Sequence, residues 1–109
     1  MGTRYELHGE LLSLLGTADL PPEKARCYFQ PPESIKMSYP CIVYNREPPD
    51  ILRADNLLYR RVHKYGLIYI TYDPDDPLIE IIEDRFSMCR LSRSYARDGL
   101  NHYYYDLYY

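Results

Sequence analysis

A chain of 109 residues with 46% hydrophobic side chains has room for one domain and a modest core, burying somewhat under ~70% of its unfolded surface. Its formal net charge of −3 argues against a protein whose main work is gripping nucleic-acid backbone, because that affinity comes from Lys and Arg displacing counterions. No apolar run approaches a membrane span, no signal peptide is read, and Glu6 stands where a myristoylation signal requires Ser or Thr, so the expectation is a soluble intracellular product.

Thr3 and Glu6 form a capping box, and Leu7, Leu11, Leu14 and Leu15 follow at helical spacing. This predicts an amphipathic helix over 4–15, closed by Gly16. His8 falls on its polar side, as a solvated histidine. After a loop around Pro21-Pro22 comes a short strand, Arg26 to Gln30, stopped by Pro31-Pro32 because proline cannot donate to a sheet ladder. Tyr39 to Arg46 is the next strand, with Cys41 and Val43 on one face and Ile42 and Tyr44 on the other. Residues 47–56 form a longer connection than an antiparallel hairpin needs. Two readings stand for it: a disordered surface loop, or a loop that docks Ile51 and Leu52 onto a neighbouring subunit.

The stretch from Leu57 to Pro77 alternates with period two and is the organising strand. A straight strand from Leu58 to Tyr72 would run ~50 Å, against a radius of gyration of ~13 Å for a domain of this size, so it must bend or project. Gly66 separates a charged half (Arg60, Arg61, His63, Lys64) from an apolar half (Leu67, Ile68, Ile70) and is the position predicted for a bulge or bend. The charged half is read as an arm leaving the body. Asp73, Asp75 and Asp76 invite a metal reading, but the glycine and distal glutamate of a calcium loop are missing. An acidic residue before Pro77 is an ordinary helix start, and the cap reading is preferred. Leu78, Ile81 and Ile82 then make the buried stripe of a short helix ending near Arg85. Ser87 to Tyr95 reads as a strand with Cys89, Leu91 and Tyr95 on one parity, followed by an Arg97-Asp98-Gly99 turn. Asn101 to Tyr109 closes the chain as a strand in which Tyr103, Tyr105, Leu107 and Tyr109 alternate with His102, Tyr104, Asp106 and Tyr108.

Cys27, Cys41 and Cys89 are odd in number, far apart and set in apolar runs, the pattern of buried free thiols in a reducing compartment. Fourteen Tyr against two Phe and no Trp is the more unusual feature. Tyrosine is preferred to phenylalanine where one end of the ring is apolar and the other wet, as at protein interfaces. The excess therefore points to assembly, as does tyrosine on both faces of the closing strand.

These elements predict a single α+β domain over 1–109: an antiparallel β-sheet of about four strands, an N-terminal helix and a second short helix packed on it, and a projecting β-hairpin arm over 46–64. His8, His63 and His102 fall on separate elements, and no phosphate loop, CxxC pair or HExxH occurs, so no catalytic residue, metal or cofactor is expected. Arg60, Arg61, Lys64, Arg90 and Arg93 beside an aromatic sheet offer a different class, a stacking platform for single-stranded nucleic acid. Against it stand the overall charge and the lack of an RNP-like motif.

The chain resembles the small tail terminator proteins of long-tailed bacteriophages, also called tail-completion or tail-to-head joining proteins. The similar stretches are the opening helix, YFQPPESIKMSYPCIVYNRE, YGLIYITYDPDDPLIEII and MCRLSRSYARDGLNHYYYDLYY, which together cover nearly the whole chain. The resemblance implies a homohexameric ring on the last ring of the tail tube, ending its polymerisation and presenting a surface to the head. It implies no active site, and a place in the virion at the head–tail interface after assembly in the host cytoplasm. Expected partners are other copies of the chain, the tail tube protein and a head-completion or neck protein, with DNA passing through without specific binding and no membrane. Contacts are expected from Pro48, Pro49, Ile51, Leu52, Arg53, Tyr59, Arg61, His63, Tyr103, Tyr105 and Tyr108. An acidic lumen wall is expected from Glu47, Asp50, Asp55, Asp73, Asp75 and Asp76. The alternatives are another neck component, such as a head-completion or stopper protein, and a small nuclease using a metal at Asp75 or Asp76.

Overall fold

The computed structural model describes residues 3–48 and 63–109, the Glu23 side chain excepted. Helix α1 (Arg4–Leu15) starts and stops where its caps dictate. Thr3 Oγ1 accepts the Glu6 N–H, the Glu6 carboxylate accepts the Thr3 N–H at 2.9 Å, and Gly16 takes φ 74° so that its N–H reaches the last carbonyls. After a 3-10 turn (Pro22–Lys24) come β1 (Cys27–Phe29), β2 (Cys41–Glu47), β3 (Lys64–Thr71), α2 (Leu78–Arg85), β4 (Cys89–Arg97) and β5 (Leu100–Tyr108). The fold is α+β, with one sheet in the order β1-β2-β3-β5-β4. Among the described residues it differs from expectation in having five strands, and in being mixed, because β1 pairs parallel with β2 while the other neighbours are antiparallel. Of the expected arm, the ladder Arg46↔Tyr65 and Glu47↔Lys64 is regular at its base; residues 49–62 lie outside the described residues.

Alternation divides the sheet into two faces. Ile42, Tyr44, Tyr65, Leu67, Tyr69, Tyr105 and Leu107 share one, and onto it pack Leu7 and Leu11 of α1, Ile82 of α2 and the adjoining Phe86. The stripe of α2 is Leu78, Ile79 and Ile82, continued by Phe86; Ile81, expected in it, is 46% exposed. A short helix buries a narrow arc, and the residue next to Ile82 points off it.

The largest fully buried side chains are Tyr44, Tyr65, Tyr69 and Tyr105. Each hydroxyl reaches a polar partner: His8 Nδ1 at 2.6 Å, the Arg46 guanidinium at 2.9 Å, Asp76 at 2.6 Å and the Ile79 carbonyl at 2.6 Å, respectively. The tyrosine excess is thus partly a property of the core, where a ring fills volume and its hydroxyl satisfies a group at the margin. Burial raises three of them: Tyr44 is pushed up to about 12, and Tyr69 and Tyr105 further. His8, expected on the solvated side, is half-buried against Tyr44, and burial, with the Arg4 charge, lowers its pKa.

Gly66 carries no bulge. It pairs in register with Asn45 and Asp106, and a Cβ there would collide with the Tyr104 hydroxyl and the Glu47 carboxylate. Glycine leaves room for the Tyr104 hydroxyl to donate to Glu47 at 2.7 Å, the close-approach role that glycine plays in a strand interior. The irregularity lies instead in β4, where the pairing jumps between Leu91 and Arg93. The turn that follows takes φ 55° at Asp98 and 77° at Gly99, the pair of positive angles that a two-residue hairpin needs.

Candidate functional site

The second sheet face carries neither described helix. It comprises Cys41, Val43, Asn45 and Glu47 of β2, Lys64, Gly66, Ile68 and Ile70 of β3, and His102, Tyr104, Asp106 and Tyr108 of β5. Val43, Ile68, His102, Tyr104 and Tyr108 are half-buried, so apolar and aromatic atoms reach the surface across three strands.

The bulge decides what β4 adds to this face. Leu91 pairs with Tyr105 on the helix side, but Arg93 pairs with Tyr104, Tyr95 with His102 and Arg97 with Leu100. Unbroken alternation past Leu91 would give the open face Ser92, Ser94 and Ala96. With the bulge, the face receives Arg93, Tyr95 and Arg97, in line with Arg90. Bulges re-aim side chains in this way. The Ser92 hydroxyl donates to the Tyr104 carbonyl at 3.1 Å, anchoring the unpaired residue. Tyr95 was expected to share a face with Cys89 and Leu91; the bulge reverses it, a change of phase that strict alternation cannot show. The Tyr95 ring lies on that of His102, with centroids 4.6 Å apart and planes 7° from parallel, while 45% of the residue stays exposed. The Arg93 guanidinium sits 4.8 Å from the Tyr104 ring centroid. Burial, and then the bond to Glu47, push the Tyr104 hydroxyl up to about 12.

The expected contact residues are distributed unevenly. Pro48 and His63 are exposed at the base of the arm, where the His63 backbone exchanges two 2.9 Å bonds with Tyr109. Tyr108 is half-buried on the open face, with Lys64 Nζ 6.0 Å from its ring centroid. Tyr103 is half-buried on the helix face. Tyr105 corrects the expectation: it is 0% exposed, pinned under α2 by its bond to Ile79, and has no surface to offer a partner. Pro49, Ile51, Leu52, Arg53, Tyr59 and Arg61, and the acidic Asp50 and Asp55, lie outside the described residues.

Of the remaining acids expected in a lumen wall, Asp73 and Asp75 are exposed. Glu47 is held by Tyr104. Asp76 is engaged in structure: it accepts from the Tyr69 hydroxyl at 2.6 Å, the Thr71 hydroxyl at 3.0 Å and the Leu78 N–H at 2.9 Å. It stands one residue before the N-cap, Pro77, where its bond to the Leu78 N–H satisfies a first-turn donor of α2 and joins the helix to β3. Burial works to raise its carboxyl, but the three donors outweigh that and hold it below the usual carboxylate range.

Cys27 and Cys41 are buried and Cys89 half-buried, all three are free thiols, and burial pushes each up to about 12. At neutral pH they are protonated and poor nucleophiles. Among the described residues no group of three His, Cys, Asp or Glu is placed to hold a metal ion, and no helix is long and apolar enough to cross a membrane. A groove of 370 Å³ at the end of β4 and β5 is lined by Lys64, Ser87, Met88, Arg90, Asp106 and Tyr108 among others. Comparison with protein-family models, with curated proteins and with solved structures finds no match.

Proposed function

We propose that this chain is a structural virion protein of a long-tailed bacteriophage, one that caps the tail tube as a homohexameric ring, ends tube polymerisation and forms the surface on which the head is joined. The observation that supports it is the one-sided layering. The described helices cover one sheet face, while Val43, Ile68, Tyr104 and Tyr108 leave the other more apolar than a solvated face requires. A ring needs two different surfaces per subunit, since head-to-tail contacts close when the rotation allows. In this reading the 46–64 stretch supplies one, and the open face with Tyr108 of β5 supplies part of the other. The resemblance of the chain to tail terminator proteins points the same way.

The test is the mass of the purified chain, alone and after mixing with tail tubes, with tube lengths read by electron microscopy. The expected result is tubes that stop growing with a six-fold ring at one end. Tubes that elongate unchanged, with no chain bound at their ends, would overturn the reading.

A further inference from the structure

We infer that the β4 side of the open sheet face is a binding platform for single-stranded nucleic acid, with Tyr95 stacking on a base and Arg93, Arg97 and Arg90 taking the phosphates. This surface adjoins the open-face residues given to the ring and shares Tyr104 with them, but Arg93, Tyr95 and Arg97 themselves lie on β4. Three observations carry the inference together. Tyr95 is presented flat, backed by the parallel His102 ring, with 45% of the residue exposed; an aromatic held rigid from beneath with its outer side open is what base stacking requires. Arg93 and Arg97 flank it two residues away on the same face, and all three arginines are exposed. The bulge at Ser92 sets this phase; unbroken alternation through β4 would put two serines and an alanine in those places.

Charge complementarity favours nucleic acid over a second copy of the chain or an apolar protein partner. The carboxylates on this face lie toward its Arg90 end, where Asp106 pairs with Arg90 in the ladder and Glu47 is tied to the Tyr104 hydroxyl. Asp98 sits in the turn beyond Arg97. Between them the row Arg93-Tyr95-Arg97 is positive, although the whole chain carries −3. Arg93 over Tyr104 adds a second flat surface, since a guanidinium plane can itself stack on a base.

The experiment is fluorescence anisotropy of a labelled twelve-nucleotide oligo(dT) titrated with the full chain between 50 and 200 mM NaCl, beside a duplex of the same length. Three phosphate contacts predict a log–log salt slope of about −2 for a single strand, or roughly 20-fold weaker binding across that range. Tyr95→Ala is expected to weaken binding by about 5-fold or more at every salt concentration with the slope unchanged. Arg93→Ala with Arg97→Ala is expected to bring the slope to about −0.7. Tyr5→Ala, on α1 and 77% exposed, is expected to change nothing. The inference fails if the oligonucleotide is not bound at 50 mM salt, if Tyr95→Ala binds like the parent, or if the duplex binds as tightly. It also fails if Tyr95→Ala changes the mass of the chain in solution, which would make this face a contact between copies. The oligonucleotide outcomes do not bear on capping of tail tubes, which is read separately; a change of mass would instead assign this face to contacts between copies.

Discussion

Asp76 shows how much one side chain can settle. Its carboxylate accepts from the side chains of Tyr69 and Thr71 on β3 and from the backbone of Leu78 at the start of α2, so it fixes where the helix leaves the sheet. The sequence shows an acidic residue before Pro77, and that suffices to expect a carboxylate at the start of the helix, though Pro77 itself holds the N-cap position. It does not show Tyr69, seven residues earlier, because that bond exists only once the chain has turned back at 73–76. Asp76→Asn keeps an acceptor but loses the charge that strengthens all three bonds. Because the group is only partly buried, the loss is screened to about 1 kcal/mol at pH 7. The carboxyl is held below its unfolded value, so its contribution is present above pH ~3.9 and is lost as pH falls through the lower folded value. Urea unfolding at pH 7 and at stepwise lower pH checks this. The gap between parent and variant should be widest at neutral pH and close in acid, where a constant gap would mean that the ionised form has no special role.

At the scale of elements, the parts of the fold that follow from local rules were legible. Helix α1 runs from cap to cap as its Thr3, Glu6 and Gly16 dictate, the Asp98-Gly99 turn is in place, and the two faces of β2 and β5 are as alternation gives them. What alternation could not give was the phase of β4 past Leu91, because an inserted residue leaves no mark in a strand whose polar side chains fit either face. The bulge makes a prediction that separates phase from length. Deleting Ser92 removes the unpaired residue and leaves Arg93 opposite Tyr104, so the fold and the Arg93–Tyr104 contact should survive. Deleting Ser94 also yields a regular ladder, but with the turn fixing the pairs beyond it, Arg93 moves opposite Tyr103 on the helix side. NMR contacts from the Tyr104 ring should therefore persist in the first variant and vanish in the second, with the oligonucleotide affinity following the same order.

For the molecule as a whole, the tyrosines divide into populations that composition alone had merged. Tyr44, Tyr65, Tyr69 and Tyr105 belong to the core, and their hydroxyls serve His8, Arg46, Asp76 and Ile79. Tyr95, Tyr104 and Tyr108 belong to the open face. Of these two populations only the second has surface to offer assembly or binding, which takes four of the fourteen tyrosines out of the case for a partner. If the 46–64 stretch makes the subunit contacts while the Arg93-Tyr95-Arg97 row binds single strands, the two activities should come apart in opposite variants. Reversing Arg53 and Arg61 to Glu should stop ring formation on tail tubes and leave oligo(dT) affinity within about two-fold, because neither residue belongs to the β4 platform. Tyr95→Ala should do the converse, with rings intact and the oligonucleotide released at lower salt. Loss of both activities in both variants would mean that the ring creates the nucleic-acid surface, and would place the arm and β4 in one contact instead of two.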